Sequence, residues 1–283
     1  MQLFAAGLLL SAWCGPQLCS TEALVRRNHL DIAYVLDVSN SMLAKDVTPD
    51  RLRRARQEML SISRGFGKGR SGLVLFAGSA VVQCPLTTDR QVFEMMLFTA
   101  SPDLLETQGT DIGKALDMAD GMLSVAGNDE RIQGARAIIL ASDGEDHERA
   151  LSGVARKLQN KDVKLVVMGI GEEKPAPIPL NGLTGDSLNV KRDAGGRPVL
   201  TSFSSETLRL LADDAGGLFL HSNRASTVSE DVLEILNTIE SDEQWVREPR
   251  FREEVYQFFV MGSLLLLLGA GFVAKTQGAH DNV

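Results

Sequence analysis

Between residues 30 and 240 the chain alternates two hydrophobic patterns. Short, mostly apolar runs occupy residues 31–36 (DIAYVL), 72–77 (GLVLFA), 137–141 (AIILA) and 163–169 (VKLVVMG). Runs of this length, rich in β-branched residues, predict strands covered on both faces. Residues 218–221 add a further short strand, and residues 80–83 are expected beside 72–77 as an edge hairpin. Between these runs the apolar residues recur every three or four positions. Leu52, Ala55, Met59, Ile62 and Phe66 make one helical stripe. It is opened by Thr48-Pro49-Asp50, an N-cap, a proline at the first helical position and an acid in the first turn. Further helices are predicted near 91–98, 111–125, 148–158, 205–215 and 229–239, the last opened by the capping pair Thr227 and Glu230. This alternation predicts an α/β fold, a doubly wound and mostly parallel sheet with helices on both faces. Residues 175–200 break the rhythm with four of the nine prolines. Together with Gly182, Gly185, Gly195 and Gly196, they predict a long hairpin-like excursion.

Both ends of the chain are apolar, so membrane segments are expected to flank this domain. Residues 258–274 (FFVMGSLLLLLGAGFVA) carry no charge and lie between Arg247, Arg250 and Arg252 on one side and Lys275 on the other. At ~1.5 Å per residue the run reaches about 26 Å, enough for a hydrocarbon core of about 30 Å if its flanks snorkel. It is expected to be a C-terminal transmembrane helix. Residues 1–20 are expected to be an N-terminal membrane segment, either a signal peptide without the usual basic start or a shortened span. The basic residues nearest both segments, Arg26, Arg27, Arg247, Arg250 and Arg252, lie on the domain side. Taken literally, the positive-inside rule puts the domain in the cytoplasm.

Composition narrows the function. The net charge of −8, from 37 acids against 29 bases, is a poor match for a polyanion, so no nucleic-acid partner is expected. Three cysteines, Cys14, Cys19 and Cys84, cannot build a disulfide framework, and they and the four histidines show no zinc spacing.

Ligands of an open parallel sheet bind beyond the carboxyl ends of its strands. Asp37-Val38-Ser39-Asn40-Ser41 follows the first predicted strand, and Ser142-Asp143-Gly144 follows the AIILA strand. Gly109-Thr110-Asp111 opens a helix between them. Taken singly, these are ordinary Asx-turns and helix caps. Taken in order, they bring carboxylates and hydroxyls to one sheet edge. Such hard oxygen donors suit Mg²⁺, Mn²⁺ or Ca²⁺.

These three motifs resemble the metal-ion-dependent adhesion site (MIDAS) of von Willebrand factor A (VWA) domains. The segments DVSNSMLAKDVTPDRLRRAR, GRSGLVLFAGSAVVQCPLTTD, GTDIGKAL and ILASDGEDHE narrow the resemblance to the membrane-anchored VWA proteins of bacterial aerotolerance (Bat) operons. The excursion APIPLNG…VKRDAGGRPVLTSF is similar to theirs as well. The resemblance covers about residues 20–275 and implies a VWA domain over 30–240. It implies that Ser39, Ser41 and Thr110 ligate the metal directly, while Asp37 and Asp143 bind through water and hold the hydroxyls. It further implies an acidic ligand from a protein partner, work with sibling VWA membrane proteins and a MoxR-type AAA+ ATPase, and a domain facing the periplasm from the bacterial inner membrane. Family members usually carry two N-terminal spans, whereas this chain starts near what looks like the second.

Other motifs carry less. Gly67-Lys68-Gly69-Arg70-Ser71-Gly72 matches a dinucleotide fingerprint but follows a helix and leads into a strand, the reverse of what that site needs. His147 is expected at a solvated helix start, and Cys84 in the core. Ser39 has no histidine partner for nucleophilic work. A Mg²⁺-dependent phosphoryl-transfer or hydrolytic enzyme is the alternative to a binding module, but it lacks a second carboxylate two residues after Asp37. A passive scaffold is the third reading. The expectation is a binding module with no catalytic residues.

Overall fold

All eight residues of Leu30–Asp37, strand β1, are buried. That burial on both faces is what its mostly apolar sequence requires. In the computed structural model the described residues are 2–13, 17–18, 23–26, 30–67, 69–127, 134–145, 151–179, 190–241, 245–248, 253–254 and 256–280. The chain divides into two units, Arg27–Gln244 and a second made of Met1–Arg26 with Trp245–Val283.

In the first unit β1 is followed by helix α1 (Arg51–Gly65), strands β2 (Arg70–Phe76) and β3 (Ala80–Thr87), and helices α2 (Arg90–Phe98) and α3 (Ile112–Gly127). Then come β4 (Ala135–Ser142), α4 (Leu151–Asn160), β5 (Val163–Ile170), α5 (Ser205–Asp214), β6 (Leu218–Ser222) and α6 (Ser229–Ser241). The strands form one sheet in the order β6-β5-β4-β1-β2-β3. All neighbours are parallel except β2 and β3, which are antiparallel. The expected doubly wound, mostly parallel α/β sheet is what forms.

The helices split between the two faces. Leu52, Ala55, Met59 and Ile62 of α1 join Phe93 of α2 and Val232 of α6 in one core with Ile32, Tyr34 and Leu36 of β1. Ile112 and Leu116 of α3, Leu158 of α4 and Leu208 of α5 pack on the other face with Ala33 and Val35. Odd and even residues of β1 thus serve opposite cores, as the pleat dictates.

Local signals shifted by a few residues. Asp50, not Thr48, caps α1, its side chain accepting from the Arg53 amide. The edge strand β3 runs to Thr87, longer than its sequence pattern predicted. Of the glycine-rich run after α1, Gly69 stands at φ +93° and Arg70, Ser71 and Gly72 open β2. The excursion begins as a hairpin, with Ala176–Pro177 pairing antiparallel with Leu200–Thr201.

In the second unit the helices Gln2–Trp13 and Tyr256–His280 lie side by side. Ala23–Arg26 pairs antiparallel with Trp245–Glu248, and Gln17–Leu18 with Glu253–Glu254. The apolar run 258–274 is helical, as expected, with Phe258, Leu264, Leu265 and Leu268 exposed. Among the described residues, however, no helix is long and apolar enough to cross a membrane. The helix Gln2–Trp13, within the expected 1–20 segment, has 12 residues, about 18 Å at ~1.5 Å per residue, short of a core of about 30 Å. The expected spans are not supported among the described residues.

Candidate metal centre

The chain leaves β1 toward β2 on one side and later returns to β4 on the other, so the sheet's switch point lies between β1 and β4. Such a point leaves a crevice at the carboxyl ends of the two strands. Register sets its contents. Leu36 pairs with Ala141, which puts Asp37 level with Ser142 and places both motifs at one edge.

Asp37 is enclosed by donors. Its Oδ1 accepts the Ser39 amide at 2.9 Å, and its Oδ2 accepts the Ser142 hydroxyl at 2.7 Å. The Ser39 and Ser41 hydroxyl oxygens stand 2.9 Å apart, and the Ser41 hydroxyl is hydrogen-bonded to Asp143. Val38 between them is buried in the core, its amide donating to the Phe76 carbonyl at 2.8 Å. Asp143 Oδ1 accepts the Glu145 amide at 3.2 Å. Asp37, Ser39, Ser41, Ser142 and Asp143 are all buried.

Thr110 reaches the same edge by another route. Ala77 and Gly78 follow β2, beside the end of β1. The Gly78 amide donates to the Thr107 carbonyl at 3.1 Å, and the Asp111 amide donates to the Ala77 carbonyl at 2.8 Å. A side chain at Gly78 would meet the Gln108 carbonyl at 2.6 Å, so this close approach needs glycine. Thr110 is buried in the clamped loop. Its neighbour Asp111 opens α3, accepting from the Lys114 amide at 2.9 Å.

The sequence reading missed Arg51. Its side chain is wholly buried and forks onto Asp46, with Nε 3.0 Å from both carboxylate oxygens and Nη2 2.7 Å from Oδ2. Its Nη1 donates to Asp143 Oδ2 at 2.7 Å and to Thr201 Oγ1 at 3.1 Å. A signal was available. Arg51, Ala55, Glu58 and Ile62 follow each other at helical spacing, and all four are buried, so two charged residues sit on an apolar stripe.

Burial, then the neighbouring Asp143 charge, pushes the Asp37 carboxyl up to about 7, although Ser142 and Ser39 pull it the other way. Burial also raises Asp143, against the pull of Arg51. Asp46 differs: burial raises it, but the Arg51 fork outweighs this and holds it below the usual carboxylate range. Asp46 and Arg51 thus neutralise each other. Asp37 and Asp143 are left as two buried carboxylates of like charge, the formal complement of one divalent cation. The hydroxyls of Ser39 and Ser41 stand beside this pair; with Thr110 they are the direct ligands that the resemblance implies. Among the described residues no three His, Cys, Asp or Glu side chains converge on a point. His147 lies outside the described residues. Cys84 is buried beside the Pro85 carbonyl, as expected.

Residues 32–145 match the model of the von Willebrand factor type A domain. A UPF0353 protein of Nocardia farcinica is 30% identical over 87% of this chain and 72% of its own length. The chain spans 72% of that relative's length but only 63%, less than two thirds, of a UPF0353 protein of Mycobacterium sp. that is 27% identical. Among solved structures, the conserved hypothetical protein BatB from Bacteroides thetaiotaomicron superposes with a TM-score of 0.68 at 29% identity, covering 74% of this chain and 98% of that one. An aerotolerance-related membrane protein from Bacteroides fragilis gives 0.65 at 29% identity, covering 75% and 98%. A proximal thread matrix protein from the mussel byssus, solved with a zinc-occupied MIDAS motif, shares the fold, with a TM-score of 0.51 at 20% identity, covering 73% and 45%. The fold is that of a VWA domain, similar to these BatB and aerotolerance-related proteins. The chain belongs to the UPF0353 family.

Proposed function

We propose that this chain is a non-enzymatic binding module, holding a divalent cation at Ser39, Ser41 and Thr110 and using it to capture an acidic group of a protein partner. The observation that carries the reading is the pair of wholly buried carboxylates, Asp37 and Asp143, linked to the Ser39 and Ser41 hydroxyls at the switch point. Arg51 is shared between Asp46 and Asp143, so this dry site keeps an excess of negative charge, which is unfavourable and which a divalent cation would balance. Mg²⁺ prefers about six oxygens, so hydroxyls and waters leave a position that a partner's carboxylate can take. The zinc-occupied MIDAS of the mussel protein is in line with a divalent ion; Mg²⁺ is the proposed occupant. Arg51 gives little support to a phosphoryl-transfer alternative, because its N–H groups already donate to Asp46, Asp143 and Thr201.

The relative described as an aerotolerance-related membrane protein supports work at a membrane. The proposed setting is the periplasmic face of the inner membrane, with the apolar ends of the chain holding it there. Sibling VWA proteins and a MoxR-type AAA+ ATPase are the proposed partners.

Calorimetric titration with Mg²⁺ and Mn²⁺ tests the cation site. A Ser39→Ala, Ser41→Ala double variant should lose the heat of binding while keeping its far-UV dichroism. A crosslinking pull-down from membranes, with and without EDTA, tests capture. Partner recovery unchanged by both EDTA and the double variant would sink the proposal.

A further inference from the structure

The stem of the excursion is tied to the segment that follows β4. The Ser204 amide donates to the Asp143 carbonyl at 2.9 Å, and the Ser202 amide donates to Glu145 Oε1 at 2.8 Å. Between these two, the Phe203 amide donates to the Glu172 carbonyl at 3.3 Å. The side of the stem that leaves β5 is held as well, since the Glu172 amide donates to Asp46 Oδ2 at 2.8 Å. Arg51 lies at the meeting point of these ties. Its guanidinium bonds Asp143 of the cation site, Thr201 on one strand of the Ala176–Pro177/Leu200–Thr201 ladder, and Asp46, which holds Glu172 at the foot of the other. Gly171, at φ +141°, leaves room for it, because a Cβ there would come within 2.9 Å of Arg51 Nε. A side chain with no exposed surface that fixes three separate segments through a rigid planar fork transmits a shift at one of them to the others.

We infer that Arg51 is a positioning residue coupling the cation site to the excursion, so that a cation held at Ser39, Ser41 and Thr110 orders residues 199–204. This rests on the cation-site reading above. With the site filled, Asp143 is held between the cation-bound Ser41 hydroxyl and the Arg51 guanidinium, and its carbonyl holds Ser204. With the site empty, Asp37 and Asp143 repel each other, and Asp143 is less firmly placed. The stem inherits that looseness through Thr201 and Ser204. Coupling of this kind is reciprocal, so a partner gripping the excursion would also tighten the cation.

Thr201→Val removes one acceptor of the bridge and leaves the Arg51–Asp143 and Arg51–Asp46 bonds in place. Hydrogen exchange and calorimetry on the full chain, with Mn²⁺ as probe, test the coupling. In the unaltered protein, Mn²⁺ should slow exchange of the Ser202, Phe203 and Ser204 amides by about tenfold, the scale of one buried charge-assisted hydrogen bond. In Thr201→Val, Mn²⁺ should bind with an affinity within about threefold, yet most of that slowing should be lost. Arg51→Lys keeps the charge but not the fork, and should behave like Thr201→Val or worse. Mn²⁺ that binds while the three amides exchange unchanged overturns the coupling. So does a Thr201→Val protein whose amides respond as the unaltered chain's do. If Mn²⁺ gives no heat at all, the cation site itself is wrong, and the inference falls with it.

Discussion

Ser142 donates a 2.7 Å hydrogen bond to Asp37 across the β1–β4 pairing, joining residues 105 apart in sequence at the sheet's switch point. The same hydroxyl accepts the Gly144 amide at 3.1 Å. Ser142 is therefore the pin that aligns the two halves of the site, a role its place in the Ser142-Asp143-Gly144 motif did not specify. Replacing it with alanine leaves a buried carboxylate one donor short. Ser142→Ala should lower stability by about 1–3 kcal/mol, read as a shift of the urea midpoint at unchanged slope, and weaken cation binding.

The raised Asp37 carboxyl gives a pH signature with a definite sign. Its folded value near 7 lies above the ordinary carboxylate value, so its stabilising contribution is complete at low pH and is lost as pH rises toward 7. Metal-free protein should melt at a lower temperature at pH 8 than at pH 6 on this group's account. Saturating Mg²⁺ should shrink the difference, and Asp37→Asn should abolish it together with cation binding. A metal-free melting temperature that is indifferent to pH across this window would count against the buried like-charge pair.

Arg51 offers a sharper stability test. Arg51→Met leaves Asp46 and Asp143 buried without their cation, a loss that typically costs about 3–5 kcal/mol. Chemical denaturation should show this at neutral pH and less of it at acidic pH, where the orphaned carboxylates take up protons.

Gly171→Ala should also destabilise, by more than about 1 kcal/mol, because its left-handed backbone disfavours any side chain. The new methyl would also press on Arg51 Nε and, at 3.0 Å, on the Phe203 Cβ. Gly121→Ala, on α3 with open space around it, should be neutral or slightly stabilising. Thermal melts of the pair separate backbone strain from a general intolerance of alanine.

The proposed membrane setting predicts that the chain sediments with membranes and resists extraction by carbonate. An alkaline phosphatase fusion after Glu243 should be active if the domain faces the periplasm. An inactive fusion there would place the domain in the cytoplasm.

The strands were legible because burial on both faces imposes near-continuous apolar runs, and β1, β4 and β5 appear where those runs do. Asp37, Ser39, Ser41 and Asp143 were legible because chemistry in such sheets gathers where apolar runs stop. Thr110 needed the resemblance, since nothing local marks it beyond a helix start. Arg51, Asp46 and Ser142 were hidden for a different reason. Each looks like ordinary helix or turn chemistry in one dimension, and its role appears only once contacts spanning five to 150 residues are made. The apolar ends illustrate the converse. Hydropathy marked them clearly, but among the described residues no helix is long and apolar enough to cross a membrane.

The sheet order has a mechanical consequence. The cation site straddles β1 and β4, whose parallel ladder runs from Leu30 opposite Ala135 to Leu36 opposite Ala141. A load applied through a bridging cation would enter at the carboxyl ends of both strands and run along their axes. The two strands would share that load side by side, whereas a load on the edge strand β3 would rest on its single ladder to β2.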